Sequence, residues 1–188
     1  MFDATGLRQA LAMLGELLAD RGLRYELVVN GGGGLLLLGV IERPTEDLDA
    51  LARVEAGEYM LARPIPTELQ EAIADVANAR SLRDGWFNAG PTDQLTQGLP
   101  AGFRDRVQTI AYGGLILHLA SRFDQICFKL YAATDGGARS KHLDDLQKLA
   151  PTDDELTEAS MWVKEMDGGV EFREFVDSVV ARVKELRG

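Results

Sequence analysis

Leucines recur at positions 7, 11, 14 and 18, the spacing of one helix face. With Asp3 or Thr5 placed to cap it, the pattern predicts a helix over residues 5–19. Residues 24–29 then read as a strand that ends at Asn30 and runs into four glycines, Gly31 to Gly34. The leucines of 35–40 suggest a short buried helix, stopped by Pro44 because proline disfavours helix in the residue before it. Asp47-Leu48-Asp49-Ala50 alternates acidic and apolar residues after Glu46, so 46–51 reads as a strand with one face toward a site. The order is strand, glycine turn, helix, strand.

Further along, Pro66 and Thr67 open a helix over 66–80 with Leu69, Ile73 and Val76 on one face. Residues 81–102 are rich in Gly, Pro, Asn and Asp, an irregular connection of a length that often borders a site. Two strands, 107–112 and 115–119, join at Gly113-Gly114 as a hairpin. From Ser121 onward the periodicity is helical, over 122–134, 139–149, 152–166 and 170–186. Thr152 and Glu155 have the spacing of a capping box. The pattern predicts an α/β (α+β) part with a mixed sheet over 1–120 and a helical C-terminal part over 121–188, packed together. Neither a repeat nor a low-complexity tract interrupts it.

Composition adds limits. A chain of 188 residues with 46% hydrophobic and 27% charged residues has the makeup of an ordinary globular protein and needs no staples to fold. A single cysteine, Cys127, excludes an internal disulfide and fits a reducing compartment; set among apolar neighbours, it reads most simply as core. The longest apolar run is too short to span a bilayer, and the start of the chain lacks the pattern of a signal peptide. A cytoplasmic protein that does not bind membranes is the expectation. Twenty Lys and Arg against thirty Asp and Glu give a formal charge of −10, which disfavours non-specific DNA or RNA binding. It leaves room for a nucleotide held through a metal ion.

The candidate chemistry lies between Val28 and Asp49. Successive glycines between a strand and a helix let the backbone turn tightly and approach a ligand, with amides able to form an anion nest. No Gly-Lys-Ser/Thr follows, and the glycine spacing is not that of a dinucleotide fold, so a packing-driven turn is the alternative. Asp47 and Asp49, two apart on a predicted strand, put two carboxylates on one side, which is costly unless a cation lies between them. Magnesium suits such a pair because it takes one or two carboxylates plus substrate phosphate oxygens; solvated acids on an exposed strand are the alternative.

In this order the pieces resemble the minimal nucleotidyltransferases of the DNA polymerase beta-like superfamily. Arg43-Pro-Thr45 followed by Asp47 and Asp49 looks like the Arg-x-Thr-x-Asp-x-Asp form found in the AbiEii-like toxins of abortive-infection, type IV toxin–antitoxin systems. A second block extends the likeness: Leu119-Ala-Ser-Arg-Phe-Asp-Gln-Ile-Cys-Phe-Lys129-Leu-Tyr-Ala132, then Arg139-Ser-Lys-His-Leu-Asp-Asp145-Leu. The resemblance implies a nucleotidyltransferase palm followed by helices, a nucleoside triphosphate (NTP) as substrate, and Mg2+ at Asp47 and Asp49. Gly31, Gly32, Arg43 and Thr45 would bind the nucleotide. Asp47, Asp49, Lys129 and Asp145 would form the catalytic set, Lys129 countering phosphate charge and Asp145 holding that lysine or the base. The acceptor would be a hydroxyl on RNA (a tRNA among the options) or on protein, and an antitoxin protein a possible partner.

Departures from the pattern matter. The position of Gly32 is often serine, so a hydroxyl is missing there, and Gly34 stands where a small residue usually follows. Between 107 and 119 no third carboxylate occurs, only Gln108 and His118 of comparable polarity, and His142 stands where the branch often has aspartate. These departures sustain an alternative, a catalytically degenerate binding module acting in a toxin–antitoxin-type pair. Lys129 reads either as a solvated helix lysine or, given Ile126, Phe128 and Leu130 around it, as a buried one that requires a partner. Asp145 reads equally as a surface acid, and His118 as a satisfied strand histidine. Trp86-Phe87 could stack on a base or plug the sheet; Arg80 and Arg83 could meet phosphate or be solvated.

Overall fold

In the computed structural model, which describes residues 1–136 and 141–187, the leucine stripe forms the buried face of helix α1 (Ala4–Asp20), capped by the Asp3 carboxylate on the Gly6 amide at 2.7 Å. β1 (Tyr25–Asn30) leads directly into α2 (Gly31–Leu37). The four glycines are thus the first turn of the helix and do not precede it as a separate turn, and the helix ends at Leu37, before the expected 40. β2 (Leu48–Glu55) and β3 (Glu58–Leu61) form a hairpin that local patterning did not signal, turning through Ala56 and Gly57, both at positive φ. α3 (Thr67–Arg80) matches its expected span.

The connection from 81 to 102 is more structured than its composition suggests. It holds β4 (Phe87–Asn88), a short 3-10 turn at Gly90–Asp93 and α4 (Gln94–Gln97). After α5 (Phe103–Arg106), β5 (Gln108–Tyr112) and β6 (Leu115–Leu119) make the expected hairpin.

Among the described residues the strands form one six-stranded mixed sheet in the order β3-β2-β1-β6-β5, with β4 beside the start of β2 on the edge that β3 takes farther along. β1 runs antiparallel to β2 and parallel to β6. The β1–β2 register shifts between Val28, opposite Ala52, and Val29, opposite Ala50, so a bulge at Leu51 sets Asn30 opposite Asp49. Bulges of this kind re-aim side chains at sites. α1 lies against β5, β6 and α3, burying Leu7, Leu11, Leu14 and Leu18 with Leu115, Leu117 and Leu119.

By its contacts the chain divides into two units, one of residues 1–99 with 103–120 and the other of 100–102 with 121–188. In the second, α6 (Arg122–Gly136) packs against α7 (Lys141–Leu149), α8 (Asp153–Met166) and α9 (Val170–Arg187). Its core includes Ile126, Cys127, Leu130, Leu146, Leu156, Val163, Val176 and Val183. Thr152 and Glu155 form the expected capping box. Arg122 ties three pieces of this unit together, donating to the Leu149 and Ala150 carbonyls and to the Glu155 carboxylate. Among the described residues no helix is long and apolar enough to cross a membrane.

Candidate functional site

The segment from Arg43 to Asp49 wraps the glycines. A Cβ built on Gly31 would lie 2.6 Å from Asp49 Oδ2, and Gly31 has φ +74. Both the close approach and the left-handed backbone demand glycine there. At Gly33 a Cβ would meet Leu48 Cδ1 at 2.7 Å and the Asp47 carbonyl oxygen at 2.8 Å, so a side chain would push α2 off the start of β2. At Gly32 the nearest atoms to a Cβ are Thr45 Oγ1 at 3.0 Å and Arg43 Nη2 at 4.0 Å. The space a serine would need at that position is thus narrowed by the hydroxyl of Thr45.

Several contacts fix the segment. Phe2 and Thr45 exchange backbone hydrogen bonds of 2.6 and 3.0 Å, and the Leu48 amide donates to the Trp86 carbonyl at 2.8 Å. Thr45 Oγ1 donates to the Asp47 carbonyl at 3.2 Å. Asp49 lies in β2, between Asn30 of β1 and Asn88 of β4. Asp47 sits one residue ahead of the strand and not on it, so strand alternation does not by itself align the two carboxylates; the loop from Arg43 and its anchors do. Asp47 remains partly exposed, with Arg83 Nη2 4.0 Å from its Oδ2. Gly31, Gly32, Arg43, Thr45, Asp47 and Asp49 therefore gather in the first unit.

Lys129 and Asp145 come together in the second unit. Lys129 Nζ lies 2.8 Å from Asp145 Oδ2, with side chains 7% and 0% exposed. The lysine reads as the buried one with a partner, and Asp145 is not a surface acid. Arg139 and Ser140, the start of the basic segment quoted above, lie outside the described residues.

The other candidates fall to structural roles. Trp86 is fully buried, donates Nε1–H to the Ile73 carbonyl at 3.1 Å and stacks edge-on with Phe87, so it plugs the core and offers no face to a base. His118 pairs through Nδ1 with Thr109 Oγ1 at 2.9 Å and approaches Glu26 at 3.5 Å, a satisfied strand histidine. Cys127 is buried. Arg80 binds Gln9 at 2.9 Å. Glu46 entered the sequence reading as part of a strand and not as the partner of Arg83, and Asn88 beside Asp49 went unmarked. A two-residue strand such as β4 has no periodicity to reveal it, whereas Glu46 stood in plain view next to Asp47.

Among the described residues no group of three or more His, Cys, Asp or Glu side chains forms a metal cage. Two carboxylates beside a glycine turn suit magnesium arriving with phosphate oxygens that complete its shell, and do not suit a closed zinc-type centre.

The model of a protein family described as "Nucleotidyltransferase of unknown function (DUF6036)" matches residues 7–150, which is more than half of the chain. No curated protein and no solved structure matches.

Proposed function

We propose that this chain, which belongs to the DUF6036 family of nucleotidyltransferases of unknown function, transfers a nucleotidyl group from an NTP to a hydroxyl acceptor with the help of Mg2+ at Asp47 and Asp49. The observation that carries this reading is the approach of the Asp49 carboxylate to Gly31, with Arg43 and Thr45 beside Gly32. This closeness supports a reading in which the carboxylates would bind metal where the glycines would admit phosphate. Bound magnesium would supply charge neutralisation on the phosphates and polarise the attacking oxygen. The backbone at Gly31 and Gly32 receives the triphosphate, Arg43 offers a fork of donors suited to phosphate oxygens, and Thr45 offers a hydroxyl. An acceptor oxygen forms its bond to the α-phosphorus, pyrophosphate leaves, and the hydroxyl proton passes to the acidic pair.

The family resemblance supports Lys129 as a cation toward phosphate with Asp145 as its support, a palm over 1–120 with a helical part over 121–188, and a cytoplasmic protein. The acceptor is RNA or protein, and the toxin-like branch, with an antitoxin partner, is the reading that the Arg43-x-Thr45-x-Asp47-x-Asp49 form favours. The absence of a carboxylate from 107–119 favours a second reading, a degenerate binding module that holds nucleotide without transfer.

The test is a thermal melt with millimolar Mg2+ and each triphosphate. Ligand at a hundred times its Kd stabilises by roughly 2.7 kcal/mol, visible as a rise in Tm. Asp47→Asn with Asp49→Asn, which keeps the size of both side chains, should abolish the rise in a protein that still folds. A rise that survives in the double variant refutes the assignment. Transfer of labelled nucleotide to total RNA or to protein then separates enzyme from module.

A further inference from the structure

Arg83 lies between two adjacent carboxylates, only one of which belongs to the acidic pair. Its Nη1 donates to Glu46 Oε2, and its Nη2 lies 4.0 Å from Asp47 Oδ2. The Arg83 side chain is 48% exposed, that of Glu46 58% and that of Asp47 32%. Neither the arginine nor its tether is locked into the core, so the side chain has freedom to turn. Arg83 enters from the connection between α3 and β4, the same connection whose Trp86 carbonyl pins Leu48. That bond holds the connection carrying Arg83 against the segment that carries Glu46 and Asp47.

A fixed positive charge this close to a metal ligand opposes a divalent cation at the same carboxylate, because the two cations repel and compete for the same oxygen. Deleting the charge removes that opposition, an effect on the order of threefold to tenfold in metal affinity once solvent screening is allowed for. We propose that Arg83 is the protein's own counter-ion at Asp47, tethered by Glu46, which a divalent cation displaces, and that the displaced guanidinium turns onto the incoming polyphosphate. This rests on the reading of Asp47 and Asp49 as a metal pair. Arginine suits both duties: it holds its charge at every relevant pH and its planar fork matches carboxylate and phosphate alike.

The effects of Arg83→Ala should run in opposite directions. Mn2+ alone, followed by the electron paramagnetic resonance of the free ion, should bind Arg83→Ala several times more tightly than the parent. Tripolyphosphate with Mn2+, followed by calorimetry, should bind it several times more weakly. Arg83→Lys, which keeps the charge, should stay nearer the parent in the Mn2+ titration. A merely structural role for this exposed residue would not move the two affinities in opposite senses. An Mn2+ affinity within twofold of the parent, or an undiminished tripolyphosphate affinity, overturns the proposal; the metal pair itself survives if Asp47→Asn with Asp49→Asn still abolishes Mn2+ binding. Mn2+ alone that binds neither parent nor Arg83→Ala overturns this proposal; Mn2+ with tripolyphosphate that binds the double variant as tightly as the parent overturns the metal pair with it.

Discussion

Lys129→Met is the most informative single substitution because it separates what the Lys129–Asp145 pair does for folding from what it does for chemistry. The ammonium and carboxylate lie 2.8 Å apart with almost no solvent access. At an effective dielectric of about 20, unit charges at that separation attract by roughly 6 kcal/mol. Much of this attraction is offset by the cost of taking both ions out of water, so the intact pair adds little over a well-packed apolar replacement. Removing one member is different, since the other charge stays buried. Methionine keeps most of the length and volume of lysine, and Lys129→Met should cost roughly 3–5 kcal/mol. That is a large share of the roughly 5–15 kcal/mol that holds a typical domain together. Lys129→Met combined with Asp145→Leu should recover most of the loss, to within about 2 kcal/mol of the parent. Urea unfolding of the full chain, read by circular dichroism, measures both. Fluorescence provides a second probe, with Trp86 reporting on the first unit and Trp162 on the second. A cost below about 1 kcal/mol for the single variant, or a double variant as unstable as the summed singles, refutes the buried-pair reasoning. If the double variant folds yet has lost nucleotide transfer, the Lys129–Asp145 pair serves chemistry as well as stability.

Other expectations test the site and its support. Gly31→Ala forces a side chain into a left-handed backbone and against Asp49 Oδ2; it should destabilise by roughly 1–3 kcal/mol and blunt the Mg2+–triphosphate rise in Tm. Trp86→Ala should cost roughly 3–5 kcal/mol by leaving a cavity among Phe2, Ile73 and Phe87; a purely functional loss at unchanged stability would return it to the base-stacking role. At Glu155, burial pushes the carboxyl pKa up, but hydrogen bonds from Arg122 and from the Thr152 amide and hydroxyl, with the Arg122 charge, outweigh it and leave the pKa below its ordinary 4.5. The folded pKa is the lower one, so the contribution is present above the ordinary carboxylate range and fades as pH falls through the folded value. Glu155→Gln should flatten the acid limb of a Tm-against-pH curve, and an unchanged limb would show that other carboxylates control it.

The chain declares its local structure plainly. The stripe at Leu7, Leu11, Leu14 and Leu18, the Gly113-Gly114 hairpin, the Thr152–Glu155 capping box and the helical second half all follow from spacing, because each depends on residues a few positions apart. The nucleotidyltransferase family was legible too, through the resemblance carried by the stretch from Gly31 to Asp49 and by the block around Lys129. Tertiary structure decided the rest. A bulge at Leu51 sets Asp49 opposite Asn30 and against Gly31, and no local pattern fixes strand register across a bulge. Asp47 left the strand its alternation suggested because the Phe2–Thr45 bridge and the Trp86 carbonyl hold the segment from outside. Trp86 went to the core, Lys129 found Asp145 across two helices, and Arg83 reached Asp47 and, 37 residues away along the chain, Glu46. Each of these outcomes depends on which distant partner satisfies a buried or charged group. Spacing along the chain carries the helical and strand periods, but only the folded packing chooses those partners.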